Sequence, residues 1–382
     1  MSDKPLGVGI VGFGFMGRTH TYGYRTIPLY YSEVPVSYRL KGICDTRPDA
    51  VRYAMEHCGF EFGAADHREL IERDDIHVIH VCTPNVYHKP VILDAIRAGK
   101  HVYCDKPLAA GFAECREIVD ALEKAGKGLV TQVALQYRFV PCTMRARQLI
   151  ESGFLGRVFS FRAGYYHSSS IDPKKPLTWK LDKTMGGGGV LFDLGSHVLD
   201  LLGYLIGPFD RLVAESETFV KRRPLAATGE MVDVEADDVS VLLVRTKDGA
   251  LGTVEASKMA TGLNDELRVE IHGEKGALRF NLMDPNWLEV YDVRDTSGPI
   301  GGLRGFKKIE TVGRFPAPGG AFPSPAFNIG FLRCHVACLH NFLSAIAGKA
   351  TAHPTFAEAA DLQRLMEQGY ASAEQRGWVS LT

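Results

Sequence analysis

Residues 6–17 read LGVGIVGFGFMG, a short apolar run that ends in G-x-G-x-x-G. A strand over Leu6–Val11 feeding such a turn, with a helix behind it, is the opening of a dinucleotide-binding βαβ unit. The first glycine, Gly12, makes the tight turn, and the second, Gly14, lets a pyrophosphate approach the backbone. The third, Gly17, permits close packing of helix on strand. The helix N-terminus then faces the phosphates with its unpaired amides.

Working outward, the next strand should end in an acid. Tyr38–Cys44 (YRLKGIC) is that strand and Asp45 closes it. The acid comes later than the usual spacing of about 20 residues because Ile27–Val36, with two prolines, reads as an extended loop. A carboxylate here bonds ribose hydroxyls and repels a 2′-phosphate, which selects NAD over NADP. Arg47, two residues on, is the one group that could accommodate that phosphate. Asp45 can equally serve as a helix N-cap for the segment that follows.

Alternation of helix and strand then continues. Helices are predicted over Asp66–Glu72, Val86–Arg97 and Ala113–Lys124, and strands over His77–Cys82, His101–Cys104 and Gly128–Leu135. This pattern implies a parallel sheet with helices on both faces, and ligands beyond the carboxyl ends of its strands. Two strand ends carry fitting side chains: Thr83-Pro84-Asn85 with His88, and Asp105-Lys106-Pro107.

Phe139–Ser152 reads as a linking helix, and beyond residue 156 the pattern changes to long alternating strands. Seven are predicted: Arg157–Tyr166, Arg211–Phe219, Asp238–Arg245, Ala250–Ser257, Leu267–His272, Ala277–Leu282 and Leu288–Asp292. The turns Lys247-Asp248-Gly249 and Gly273-Glu274-Lys275-Gly276 separate some of them. Helices over Leu332–Ile346 and Phe356–Gln375 close the chain. The expected architecture is an NAD-binding Rossmann domain over residues 1–135. Residues 136–382 are expected to form an α+β domain with a large, mostly antiparallel sheet.

Within the second domain, Met185–Asp200 (MGGGGVLFDLGSHVLD) runs four glycines into a helix. Asp193 and His197 are four residues apart on it, and i, i+4 positions share a helix face. A carboxylate and an imidazole so placed can share a proton or orient each other. The glycine run would let backbone pass close to a substrate or nicotinamide. Phe315–Gly330, rich in Pro and Gly, reads as a surface linker, the sharper alternative being a loop that borders the substrate pocket.

The bulk numbers narrow the classes. A chain of 382 residues suggests two domains at about 150 residues each. A formal net charge of −1 gives no drive towards nucleic acid or a membrane surface. Lys221-Arg222-Arg223, the compact basic run, reads as a solvated loop. No stretch is expected to match the roughly 20 apolar residues of a membrane span, and the N-terminus does not read as a signal peptide, so the expected location is the cytoplasm. The eight cysteines are scattered, and free thiols are expected rather than a disulfide framework. The Cys334, His335, Cys338, His340 cluster sits on an amphipathic helix without a second pair at finger-like spacing, so no metal site is assigned.

With these motifs in order, the chain resembles the Gfo/Idh/MocA family of sugar and polyol oxidoreductases over essentially its whole length. Three stretches carry the likeness: VGIVGFGFMGRTH, HVIHVCTPNVYHKPVILDAIRAGKHVYCDKPLA and GGGGVLFDLGSHVLDLL. The resemblance implies hydride exchange between nicotinamide and a ring hydroxyl or ketone of a sugar or cyclic polyol. By position, Lys106 matches the family's catalytic lysine, and Asp193 and His197 its acid/base pair. Thr83, Asn85 and His88 match cofactor contacts. Gly12, Phe13, Gly14, Met16, Gly17, Asp45, Asp105, Lys106, Gln136, Trp179 and Lys180 complete the set expected to hold the dinucleotide. Trp179-Lys180 resembles a Trp-Arg pair found in some members. Asp105 stands where the family carries Glu, one methylene longer. Substrate contacts are expected from Lys106, Tyr137, Tyr166, Asp193 and His197, and a homodimer or homotetramer through the open sheet face. Two alternatives remain: an NAD-recycling enzyme that cleaves a glycoside through a transient keto-sugar, and a non-catalytic dinucleotide sensor.

Overall fold

The computed structural model describes residues 4–126, 128–312, 322 and 327–381. They divide into two compact units, each treated separately below. The first comprises 1–136, 321–323 and 330–363, and the second 137–320, 324–329 and 364–382.

In the first unit, six parallel strands stand in the order β3-β2-β1-β4-β5-β6. They are β1 (Leu6–Val11), β2 (Tyr38–Cys44), β3 (Phe62–Ala64), β4 (Val78–Val81), β5 (His101–Cys104) and β6 (Thr131–Val133). Helices α1 (Phe15–Tyr30), α2 (Pro48–Cys58), α3 (Arg68–Ile71), α4 (His88–Arg97) and α5 (Phe112–Ala125) connect them. Strand β4 is buried along its whole length and β5 along all but its first residue, as expected where helices cover both faces of a parallel sheet.

The loop expected from Ile27 onward starts later. Helix α1 runs through Pro28 to Tyr30. Proline has no N–H to give the carbonyl four residues back, but the Tyr38 hydroxyl donates to that carbonyl, Tyr24 O, at 2.6 Å. The substitute donor comes from the next strand, so no local signal marks it. Asp45 is not the N-cap of α2 either: that position is Arg47.

Helix α9 (Phe331–Ile346), expected in the second domain, counts with the first unit. It packs on α1, where a Cβ on Gly23 would lie 2.8 Å from Leu339. Arg333 donates to the Tyr31 hydroxyl at 2.7 Å, and Gln132 to the Cys338 carbonyl at 3.0 Å. Cys334, His335 and Cys338 are buried on this helix. Among the described residues, no group of three or more His, Cys, Asp or Glu side chains is gathered for a metal.

The second unit is built on a nine-stranded mixed sheet, ordered β16-β15-β14-β13-β7-β12-β11-β8-β17. Its strands are β7 (Val158–Tyr166), β8 (Phe209–Glu217), β11 (Val239–Thr246), β12 (Leu251–Ser257) and β13 (Glu266–Gly273), then β14 (Gly276–Asn281), β15 (Trp287–Asp292), β16 (Lys307–Glu310) and β17 (Val379–Ser380). All neighbours are antiparallel except β7 and β12. Helices α6 (Pro141–Glu151), α7 (Lys183–Gly186) and α8 (Ser196–Ile206) belong to this unit, while α10 (Phe356–Gln375) begins in the first and ends in the second. Val198, Leu199, Leu201, Leu202 and Leu205 of α8 are 0–1% exposed. Each such side chain contributes about 1.5–3 kcal/mol of burial.

Two further expectations give way here, and a third is not reached. A hairpin of β9 (Arg222–Pro224) and β10 (Met231–Asp233) occupies the basic run read as a solvated loop, and Arg223 is fully buried. Its guanidinium donates to Asp172 O at 2.8 Å and Ser170 O at 2.5 Å, so it bolts down a neighbouring loop. One helical stretch, Lys183–Ile206, is long and apolar enough to cross a membrane by length and composition; 83% of the window tested is buried inside the protein. The stretch 315–330, read as a linker or pocket loop, lies largely outside the described residues.

Candidate active site

Because the first unit's strands are parallel, their carboxyl ends share one edge. Gly12 follows β1, Asp45 follows β2, Thr83 follows β4, Asp105 and Lys106 follow β5, and Gln136 follows β6. Gly12 has φ +92°, and a Cβ there would lie 2.6 Å from Cys82 O. A Cβ on Gly17 would meet Gly12 O at 2.0 Å, which is the close helix–strand approach. Gly14, the N-cap of α1, has no side-chain cap and open space within 4 Å of where a Cβ would stand. Met16 is half-buried in the first turn beside it. The glycine cradle therefore exists, and amides of α1 face it.

Asp45 is tied into that cradle. The Phe13 amide donates to Asp45 Oδ2 at 2.7 Å, and Arg47 donates through Nε at 2.9 Å and Nη2 at 3.0 Å. Burial pushes the Asp45 carboxyl up, but the bonds from Arg47 and the Phe13 amide prevail and hold it below the ordinary range.

Two buried polar atoms at this edge, Thr83 Oγ1 and Gln136 Oε1, have no hydrogen-bond partner among the described residues. Such atoms call for an outside partner. With the glycine cradle, they fit a bound dinucleotide. Asn85 is buried close by in sequence, at 5% exposure. His88 is fully buried, with Nδ1 2.9 Å from Pro107 O and Nε2 2.9 Å from Thr83 O. Its ring joins the loops that carry Thr83 and Lys106. Lys106 and Asp105 are half-buried, and the Asp105 amide is held by Val81 O at 2.9 Å.

In the second unit, Asp193 lies in a π-helical turn, Leu191–Gly195, that leads into α8. A π turn inserts extra backbone, so Asp193 and His197 do not stack as the regular i, i+4 pair read from the sequence. The turn is anchored from afar. Asp237 takes the Leu191 amide on Oδ2 at 3.1 Å, and Tyr370 donates to its Oδ1 at 2.6 Å while accepting the Gly189 amide at 2.9 Å. The glycines are needed for this packing: a Cβ on Gly189 would lie 2.3 Å from Asp237 Oδ1.

Asp193 stands between two lysines, Lys180 Nζ at 3.0 Å and Lys258 Nζ at 3.1 Å. Lys180 is half exposed beside Trp179, its ammonium 5.7 Å from the indole, whereas Lys258 is buried. His197 is 7% exposed and meets the rings of Tyr137 at 4.9 Å and Tyr165 at 5.8 Å, both edge-on. Tyr166 is not part of this group. Successive strand residues face opposite ways, and its hydroxyl bonds Glu255 at 3.3 Å on the other face of the sheet. Sequence reading missed Lys258, Asp237 and Asp265. Lys258 follows the last residue of β12, Asp237 lies ahead of β11, and Asp265 directly precedes β13; no spacing links them to residues 193–197.

The glycine cradle at the strand ends of the first unit is that of a dinucleotide-binding protein. Residues 6–133 match the model of the oxidoreductase family with an NAD-binding Rossmann fold, and residues 143–279 that of the GFO/IDH/MocA C-terminal domain. The chain is 34% identical over 390 residues to levoglucosan dehydrogenase of Pseudarthrobacter phenanthrenivorans, covering 99% of this chain and 98% of that one. It is 28% identical over 272 residues to myo-inositol 2-dehydrogenase of Thermotoga maritima, covering 71% and 74%. Among solved structures, levoglucosan dehydrogenase in complex with NADH and levoglucosan superposes with a TM-score of 0.93 at 34% identity, over 99% of this chain and 100% of that one. The chain belongs to the Gfo/Idh/MocA family, an NAD-binding family of sugar and polyol dehydrogenases.

Proposed function

We propose that this protein oxidises a secondary ring hydroxyl of a sugar or cyclic polyol, reversibly, with Lys106, Asp193 and His197 as its reacting groups. The observation that carries the reading is Asp193, an anion held between two ammonium groups in the turn before the buried His197 imidazole. NAD, when bound, accepts the hydride from the carbinol carbon.

The chain's own residues do the rest. Gly12, Gly14 and Gly17 with the α1 amides hold the pyrophosphate, Thr83 and Gln136 offer their buried oxygens, and Asp45 favours a ribose over a 2′-phosphate. His197 takes the hydroxyl proton as general base, the commonest role of an imidazole at such a site. Lys106 hydrogen-bonds the reacting oxygen and stabilises the negative charge developing there. Asp193, held by Lys180 and Lys258, orients the imidazole or accepts from a neighbouring sugar hydroxyl.

The levoglucosan and inositol dehydrogenases among the relatives support a cyclic polyhydroxy substrate. The open sheet face, where Val241 is 42% exposed, supports a homodimer or homotetramer, which light scattering would test. The deciding experiment screens levoglucosan, inositols, aldoses and glycosides by nicotinamide absorbance, with NADP run in parallel. Oxidation of a ring alcohol with NAD is expected. A cleaved glycoside without net NADH would replace this reading with the recycling one.

A further inference from the structure

We propose that Tyr137, Tyr165, Asp265 and His167 form a proton path that carries the proton taken by His197 out to solvent. The proposal rests on the reading of His197 as the base. Oxidation of an alcohol leaves one proton on that base, and His197 is only 7% exposed. Its ring is flanked by Tyr137 and Tyr165, which are 6% and 4% exposed.

Beyond these rings a hydrogen-bonded run from Tyr137 through Tyr165 to Asp265 leads outward, with His167 beside its far end. The Tyr137 and Tyr165 hydroxyls are 2.7 Å apart, Tyr165 donates to Asp265 Oδ1 in a short bond, and His167 Nε2 lies 3.3 Å from the same oxygen. The Asp265 side chain is 48% exposed and that of His167 27%, so the far end is wet.

The chain has a direction. A phenol carries one hydrogen. Tyr165 gives its own to Asp265, so in the bond between the tyrosines Tyr137 is the donor. Every hydrogen therefore points from the buried end to the exposed one. Transfer along the bonded part is then a hand-over: a proton that leaves the imidazole beside the Tyr137 ring is taken up on the Tyr137 oxygen as Tyr137 passes its own to Tyr165. Tyr165 passes its own to Asp265, which gives it up to His167 or water. Each oxygen ends with one hydrogen, the imidazolium becomes neutral, and no electrons move.

Burial pushes the Tyr165 phenol well above its ordinary range, in keeping with hand-over rather than a tyrosinate. Burial also pushes Asp265 up, but the bonds from His167 and Tyr165 prevail and hold it low, so it meets the arriving proton as a carboxylate and releases it again. Asp265 has φ +57°, a left-handed conformation uncommon for a residue with a side chain. Backbone strain of this kind collects where a side chain must be aimed.

Tyr165→Phe tests the path, because it keeps the ring against His197 and removes only the link. Stopped-flow with NAD and levoglucosan or myo-inositol would follow nicotinamide reduction by absorbance and proton release with a pH indicator. In the wild type the two signals should coincide. In Tyr165→Phe and in Asp265→Asn, proton release should lag reduction by about tenfold or more, and added imidazole buffer should close the gap. Coincident signals in Tyr165→Phe, or a lag that no buffer relieves, would overturn the path alone. Absence of reduction by the wild type with every ring alcohol would overturn the base assignment as well.

Discussion

Lys258 Nζ and Asp193 Oδ2 meet at 3.1 Å with their side chains only 6% and 16% exposed. Removing one partner of a buried pair leaves the other charge short of compensation, whereas an exposed partner contributes little. Lys180, on the other oxygen, is 48% exposed. Lys258→Met should therefore cost about 2 kcal/mol in urea unfolding, against about 0.5 kcal/mol for Lys180→Ala. Equal losses would show that the two lysines share the carboxylate evenly.

His197→Ala and Lys106→Ala should each lower kcat by about 10²-fold or more while both variants still bind NAD, read by fluorescence titration. The split follows from the site: neither residue belongs to the glycine cradle or its Asp45 anchor. Near-wild-type turnover in both would remove them from the chemistry.

Asp45→Asn should act on cofactor choice and on acid stability together. The carboxylate holds the Phe13 amide and Arg47, so its loss loosens the turn and frees an arginine for a 2′-phosphate. The NAD-over-NADP ratio should fall about tenfold or more. The folded carboxyl lies below its unfolded value of about 3.9. Its stabilising contribution is therefore fully present above that value and is lost as pH falls through the folded one. Wild type and Asp45→Asn should differ in denaturant midpoint at neutral pH and converge at strongly acid pH.

Local signals made much of this molecule readable. The first sheet follows from apolar runs, glycine turns and regular alternation, and the 3-2-1-4-5-6 order is the one that motif opens. What stayed hidden depends on distant partners. Asp237 reaches Leu191 across 46 residues, and Tyr370 reaches Gly189 across 181. Together they set the π turn that a periodic reading took for regular helix. Pro28 looked like a helix stop because its substitute donor, Tyr38, belongs to the following strand. Tyr166 was placed at the site beside Tyr165, although adjacent strand residues face opposite ways.

Arg223 is the sharpest case of a charge misread as solvated. The fully buried guanidinium bonds the carbonyls of Ser170 and Asp172, and the Leu177 amide returns to Pro224 O at 2.9 Å. This fixes the loop just ahead of Trp179 and Lys180, and Lys180 reaches Asp193. Hydrogen bonds to a charged group contribute about 1.5–3 kcal/mol each, and lysine cannot reproduce the planar fork. Arg223→Lys should therefore lower stability by about 2–3 kcal/mol and open Ser168–Thr178 to protease. KM for the sugar should rise more than kcat falls, because the loop aims Lys180 without touching the reacting atoms. An unchanged cleavage pattern with unchanged KM would show that the β9–β10 hairpin holds the loop without its arginine.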